Sequence, residues 1–309
     1  MEYKSVAILG AGAVGCYVLW GLSHKDDVDL CIVADGERKD RLSSSGLVIN
    51  GENYAPIIKT PSEAHGADLL IVCTKYTALE ASLEDIKTIA DDHTVVMSLL
   101  NGVDSEEVIA RVIPEGQIVH SLIKVASERR GNEVRFDPET TIGIVYGERD
   151  MSRSKERIEA LDNLFNNTGI HYRSTDVILS EIWSKFRLNV ANNQPQAMIS
   201  CGVGAYQDSE HVAFIQGKLR DEVDAVAKAK GVDISLADAS SFRGSKVQKR
   251  ARYSTLQDLD NKRHTEVDVF AGSMVRMGKE LGVPTPYNEF TYHMIKALEE
   301  KNDGLFDYE

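Results

Sequence analysis

The apolar positions change their rhythm partway along the chain. In the first half they form short, dense runs: Val6 to Leu9, Val28 to Ala34, Leu69 to Cys73 and Thr94 to Leu99 each read as a buried strand. Between them lie stretches with helical spacing, at Ala13 to Leu22 and from about Ala78 to Ala90, and "DSEEVIARVI" reads as a capped helix. Strand and helix in alternation predict a parallel sheet covered by helices. "GNEVRF" and "TTIGIVYGE" then look like an antiparallel ribbon. Beyond Thr175 the pattern is helical throughout, as in "HVAFIQGKLRDEVDAVAKAKG" and "TEVDVFAGSMVRMGKELG". The expectation is an α/β, doubly wound N-terminal domain over 1–174 and an all-helical C-terminal domain over 175–309. No flexible linker marks the boundary near Ser174 to Asp176.

Composition narrows what such a chain can be. Its 309 residues are 42% hydrophobic and 27% charged, as in ordinary globular proteins. The net charge of −13 argues against a general nucleic-acid or anionic-membrane binder. The uncharged run "VAILGAGAVGCYVLWGL" at 6–22 approaches the length of a membrane span, but its glycines split it into a strand-like and a helix-like piece. No leader pattern surrounds it and no later stretch competes. Cys16, Cys31, Cys73 and Cys201 form no CxxC pair, and three of them sit in apolar runs. That usage fits buried thiols in a reducing cytoplasm, with no metal site and no disulfide framework.

The same run carries the first chemistry. Gly10-x-Gly12-x-x-Gly15 follows a strand and opens a helix. In a Rossmann-type turn, the first glycine permits the tight bend, the second admits a pyrophosphate, and the third lets the helix pack on the strand. Gly10, Ala11, Gly12, Ala13, Val14 and Gly15 are therefore candidate cofactor residues, the anion resting on the helix N-terminus. The plainer alternative is a glycine-rich core turn with no ligand. Asp35 closes the second strand, where an acid favours the ribose hydroxyls of NAD. Arg38 and Lys39 follow closely and could supply the charge that NADP needs.

The second constellation is "EIWSKFRLNVANN". Lys185, Asn189 and Asn193 are spaced four apart, so a regular helix puts them on one stripe. Asparagine is a poor helix former, which makes this an uneconomical solvent face. An active-site wall of one amine and two carboxamides is the sharper reading.

At these residues the chain resembles the ketopantoate reductases (2-dehydropantoate 2-reductases). The resemblance runs through "GAGAVGCY", "VCTKY", "LLNGVDSEEVI", "WSKFRLNVANN" and "STLQDLDNKRHTEVDVFAGSMVRMGKELGVPTPYNE", in the family's order. It implies a Rossmann domain followed by a helical domain, and NADPH-dependent reduction of 2-dehydropantoate to pantoate on the way to pantothenate and coenzyme A. It also implies Lys185 and Glu266 as the catalytic pair. Asn101, Asn189, Asn193 and Ser254 match substrate-binding positions; Lys75 and, again, Asn101 match cofactor positions. Three features depart from the family. Asp35 stands where a basic residue is usual, which makes NADH use plausible. Val203 replaces a common asparagine, and "HSLIKVASERRGNEVRF" lacks the usual glycine-rich start. These leave open a reductase of another 2-keto acid, or a non-catalytic NAD(P)-sensing protein. The expected partner is a small 2-keto acid, and a homodimer through the helical domain remains open.

Overall fold

The structure, a computed structural model, describes residues 1–149, 155–238, 248–306 and 308. The chain divides into two compact units, Met1–Ile178 and Leu179–Glu309.

The first unit begins β1 (Ser5–Leu9), α1 (Ala13–Leu22), β2 (Asp29–Val33), α2 (Gly36–Ser45), β3 (Leu47–Ile49), β4 (Glu52–Tyr54) and β5 (Ile57–Lys59). It continues with β6 (Leu69–Val72), α3 (Leu83–Ile89), β7 (Val95–Ser98), α4 (Ser105–Ile109), β8 (Ile118–Lys124), β9 (Ser127–Arg130) and β10 (Glu133–Phe136). It ends with β11 (Gly143–Gly147), α5 (Lys155–Phe165) and β12 (Tyr172–Ser174). The main sheet has the order β12-β11-β8-β7-β6-β1-β2-β5 and is parallel from β5 through β8. The pleat explains why its strands read as unbroken apolar runs. In β1, Val6 and Ile8 join one buried layer with α1, while Ala7 and Leu9 join another with α3. Both faces are covered, so both sets of alternate positions must be apolar.

Two sequence expectations change here. "GNEVRF" and "TTIGIVYGE" do not pair with each other. β10 turns back on β9 through Gly131 (φ 64°), and with β3 and β4 these strands form a separate four-stranded sheet. β11 instead pairs antiparallel with β8 in the main sheet. Burial explains the choice: β11 is buried at every position, whereas Val134 and Phe136 of β10 are buried and Arg135 is exposed. The helix expected from Ala78 to Ala90 is two 3₁₀ turns, Tyr76–Ala78 and Glu80–Ser82, followed by α3. Ser82 Oγ donates back to the Ala78 carbonyl at 2.8 Å, a local bond that competes with a regular helix. The helix expected in "DSEEVIARVI" is also shorter, and Asp104 at its N-cap makes no side-chain capping bond.

In the second unit every described element is helical: α6 (Ile178–Leu188), which begins at the division, α7 (Gln194–Ile199), α8 (Ala205–Asp208), α9 (Glu210–Ala229), α10 (Ser254–Asp260), α11 (Ser273–Leu281) and α12 (Pro286–Asn302). Two π-helical turns interrupt the series, at Asn189–Asn193 and Asp268–Gly272. Ala197, Leu256, Leu259, Val267, Ala271 and Ile295 form an apolar core. Buried Glu222 of α9 accepts the backbone N–H groups of Tyr287 and Asn288 at 2.8 and 2.9 Å, satisfying orphan donors at the start of α12. No helix among the described residues is long and apolar enough to cross a membrane.

Candidate active site

β1 lies between β2 and β6, so successive connections leave it in opposite directions. Such a switch point opens a crevice at the carboxyl ends of the strands. Gly10 follows β1 with φ 117°, and a Cβ there would lie 2.7 Å from the Cys73 carbonyl. At Gly15 a Cβ would fall 1.9 Å from the Gly10 carbonyl oxygen. These two glycines are steric necessities. Gly12 differs: a Cβ there would meet no protein atom nearer than 3.9 Å. Its missing side chain leaves room for something other than this chain. The first backbone bond of α1 is Cys16 N–H to the Gly12 carbonyl at 2.9 Å, so the preceding N–H groups, through Ala13, Val14 and Gly15, have no intrahelical acceptor. Beside the turn, the hydroxyl of Thr74 is buried without a hydrogen-bond partner. Open space, unused donors and an orphaned hydroxyl fit a bound dinucleotide pyrophosphate. The thiol of Cys73 is pushed up by burial and does not offer a nucleophile there.

Around this turn the remaining candidates are unevenly placed. Asp35 is exposed at the N-cap of α2 and makes no capping bond. Asp85 has its carboxyl raised by burial and then by the negative charge of Asp35, so two carboxylates share this neighbourhood. Arg38 is exposed. Lys39 is committed to Glu63 at 2.6 Å, which holds that carboxyl down at about 2. Lys75 is exposed just beyond the end of β6. Asn101 is half-buried in the loop after β7. That loop is closed at its base by Ser98 Oγ and Ser105 Oγ, 2.8 Å apart. Ser105 Oγ donates to Glu106 at 2.7 Å, and burial pushes the Glu106 carboxyl up to about 7.

The helical unit corrects the expected stripe. Lys185, Asn189 and Asn193 do not follow one α-helix, because α6 ends at Leu188 and Asn189–Asn193 is a π turn. The widened turn carries Asn193 inward to 4% exposure, while Lys185 and Asn189 stay half-buried. Asn193 Nδ2 donates to Ser254 Oγ at 3.5 Å, and Asn193 Oδ1 is buried with no partner. Ser254 is held by a residue outside the motif. Fully buried Gln196 accepts the Tyr253 N–H at 2.6 Å and donates to the Ala251 carbonyl at 3.0 Å. Glu266 is half-buried and precedes the second π turn. Its backbone is fixed from α12, where buried Glu299 accepts the N–H and hydroxyl of Thr265 at 2.7 and 2.6 Å. The two π-helical regions meet: the rings of Phe186 and Phe270 lie 6.4 Å apart. π turns recur at functional sites because they re-aim side chains. Gln196 and Glu299 carried no sequence signal beyond being polar residues at apolar-periodic positions.

Comparison with known proteins covers both units. A family model described as ketopantoate reductase PanE/ApbA matches residues 6–147, and its C-terminal counterpart matches residues 177–299. A 2-dehydropantoate 2-reductase of Streptococcus pyogenes serotype M3 is 28% identical over 302 residues, covering 95% of this chain and 97% of the relative. The crystal structure of a PanE/ApbA family ketopantoate reductase from Ralstonia eutropha JMP134 has a TM-score of 0.80 at 26% identity, over 97% and 99% of the two chains. D-mandelate dehydrogenase, solved with NADH and anilino(oxo)acetate, shares the fold at TM-score 0.80 and 23% identity, over 97% and 99% of the chains. With both halves matched in order, the chain belongs to the ketopantoate reductase family.

Proposed function

We propose that the protein reduces a 2-keto acid, 2-dehydropantoate, to the corresponding 2-hydroxy acid, pantoate. The observation that carries the substrate half is the Asn193–Ser254 contact. It joins two polar groups far apart in sequence, beside the helix that bears Lys185. A nicotinamide cofactor, which the Gly10–Gly15 turn would hold, would supply the hydride. Hydride arriving at the ketone carbon places negative charge on the carbonyl oxygen. The Lys185 ammonium stabilises that charge and gives its proton to the oxygen. Glu266 orients the lysine or the substrate hydroxyl. Asn189, Asn193 and Ser254 grip the substrate's carboxylate and hydroxyl groups, and Asn101 is a substrate and cofactor residue by its match to the family. Lys75, exposed just beyond β6, would meet the cofactor phosphates.

A second reading concerns cofactor and substrate together. Asp35 and Asp85 set a negative field where a 2′-phosphate would sit, which favours NADH over the NADPH expected from the family. A relative of the same fold, D-mandelate dehydrogenase, was solved with NADH, so another 2-keto acid is the alternative substrate. Steady-state kinetics with 2-dehydropantoate, benzoylformate and other 2-keto acids, each with NADH and NADPH, decide between them. Turnover of 2-dehydropantoate at the highest kcat/KM supports the first reading. Preference for another keto acid replaces it, and no turnover of any keto acid removes the reductase reading.

A further inference from the structure

The segment "ASERRGNEVRF" departs from the family pattern, and no step above uses it. It folds as the β9–β10 hairpin, against which α1 packs. From β9, Arg129 Nη1 donates to the Ala11 carbonyl at 2.9 Å, and Arg129 Nε donates to the Gly131 carbonyl at 2.9 Å. Ala11 is the residue before Gly12, the N-cap of α1. The guanidinium is therefore tied to its own hairpin turn on one side and to the glycine turn on the other.

Both partners are backbone carbonyls, which accept hydrogen bonds without cancelling a charge. Among the described residues Arg129 forms no ion pair, and the first turn of α1 carries no acidic side chain. The cation reaches into the helix: its field opposes the burial that raises the thiol of Cys16, one turn inside α1. In a chain of net charge −13, an unneutralised cation over a helix N-terminus is not explained by packing. A backbone carbonyl contact needs only a neutral donor, and a guanidinium fork retains donors beyond these two bonds. What the position offers is a full positive charge added to the N–H groups of α1, where an anion binds.

We infer that Arg129 anchors the cofactor pyrophosphate: its bond to Ala11 sets the glycine turn, and its charge completes the anion site. The inference rests on the dinucleotide reading of that turn. It also gives the small second sheet a role, as the arm that carries a cation to the turn from outside the nucleotide motif.

The test is equilibrium titration of the full chain with NADH, NADPH and ADP-ribose, the last having the pyrophosphate but no nicotinamide. Arg129→Gln keeps an amide donor for the Ala11 carbonyl and removes the charge. Arg129→Lys keeps the charge. At low salt, Arg129→Gln should raise Kd for all three ligands by ~10-fold or more, and Arg129→Lys by no more than ~3-fold. The gap should narrow in ~0.5 M salt, since an exposed charge is screened. Glutamine binding as tightly as the parent overturns the inference, whatever its melting temperature. Equal losses in both variants also overturn it, because charge is then not the cause. A parent that binds none of the three nucleotides overturns the dinucleotide reading itself.

Discussion

In the Met1–Ile178 unit the groups proposed to meet a ligand belong mostly to the backbone: N–H groups at the start of α1, and space above Gly12 left by a missing side chain. In the Leu179–Glu309 unit they are side chains: an amine, carboxamides, a hydroxyl and a carboxylate around two π turns. A backbone site needs little support, because the strand, turn and helix that form it also fix it. A side-chain site is only as good as what holds each rotamer. Here that support comes from buried residues on other helices, Gln196 and Glu299. The first kind of site is therefore broken by adding atoms, and the second by removing them.

The largest effect should come from addition. Gly12→Asp places a carboxylate where the cofactor phosphates would lie, and should lower nucleotide affinity by at least ~10³-fold, read by titration. Its melting temperature without ligand should change little, since the Cβ meets nothing within 3.9 Å. Next is removal: Lys185→Ala should lower kcat by at least ~10²-fold with cofactor Kd unchanged. Glu266→Ala should also lower it, and the double variant should lose less than the product of the single losses. Near-parental kcat in Lys185→Ala would sink the mechanism.

The buried carboxyl below the Asn101 loop provides a third measure. Glu106 titrates at about 7 in the folded chain against an ordinary 4.5. The folded state then holds its proton longer than the unfolded one. Stability should be highest below pH 4.5 as far as this group is concerned, fall between pH 4.5 and about 7, and level off above. The loss amounts to about 3 kcal/mol. Denaturant melts across that window should show the slope in the parent and not in Glu106→Gln. A fourth variant, Gln196→Ala, releases the segment before Ser254 and should raise KM by ~10-fold while kcat falls less. Equal changes in both would mean that Gln196 acts only on folding. The smallest effect is at the ribose: Asp35→Arg should move the NADPH to NADH ratio of kcat/KM upward by ~5-fold. An unmoved ratio would take Asp35 out of cofactor choice.

The same contrast explains what could be read before any coordinates. Strand runs such as Val6 to Leu9 and the glycines at 10 and 15 are local facts, imposed by close packing, and Gly12 between them leaves open space. They mark both the doubly wound sheet and its turn. The pairing of β10 with β9 was less visible, because either neighbouring segment offered a strand. Burial on one face against two decided it. The helical site was half legible. Its residue types stood out in "WSKFRLNVANN", but an i, i+4, i+8 count presumes a regular helix. Pro195, just after the turn, is a local sign that the helix is not regular, whereas the partners of Asn193 and Gln196 near Ser254 lie some sixty residues on. Gln196, Glu299 and Arg129 act at such distances, so no short motif contains them.

The π turns also make chain length part of the design. Each is an α-helix holding one residue more than its hydrogen bonds require. Removing Val190 would tighten that widened turn against Pro195, which has no N–H to donate and crowds the carbonyl four residues before it. Everything after the deletion would then rotate by about 100°. Gln196 would swing away from Ala251 and Tyr253, and Asn193 from Ser254. A shorter chain would thus lose both the extra residue and the contacts that hold these side chains. Alignments that remove a residue here to tidy a helix would erase the turn that buries Asn193 and leaves Asn189 half-buried.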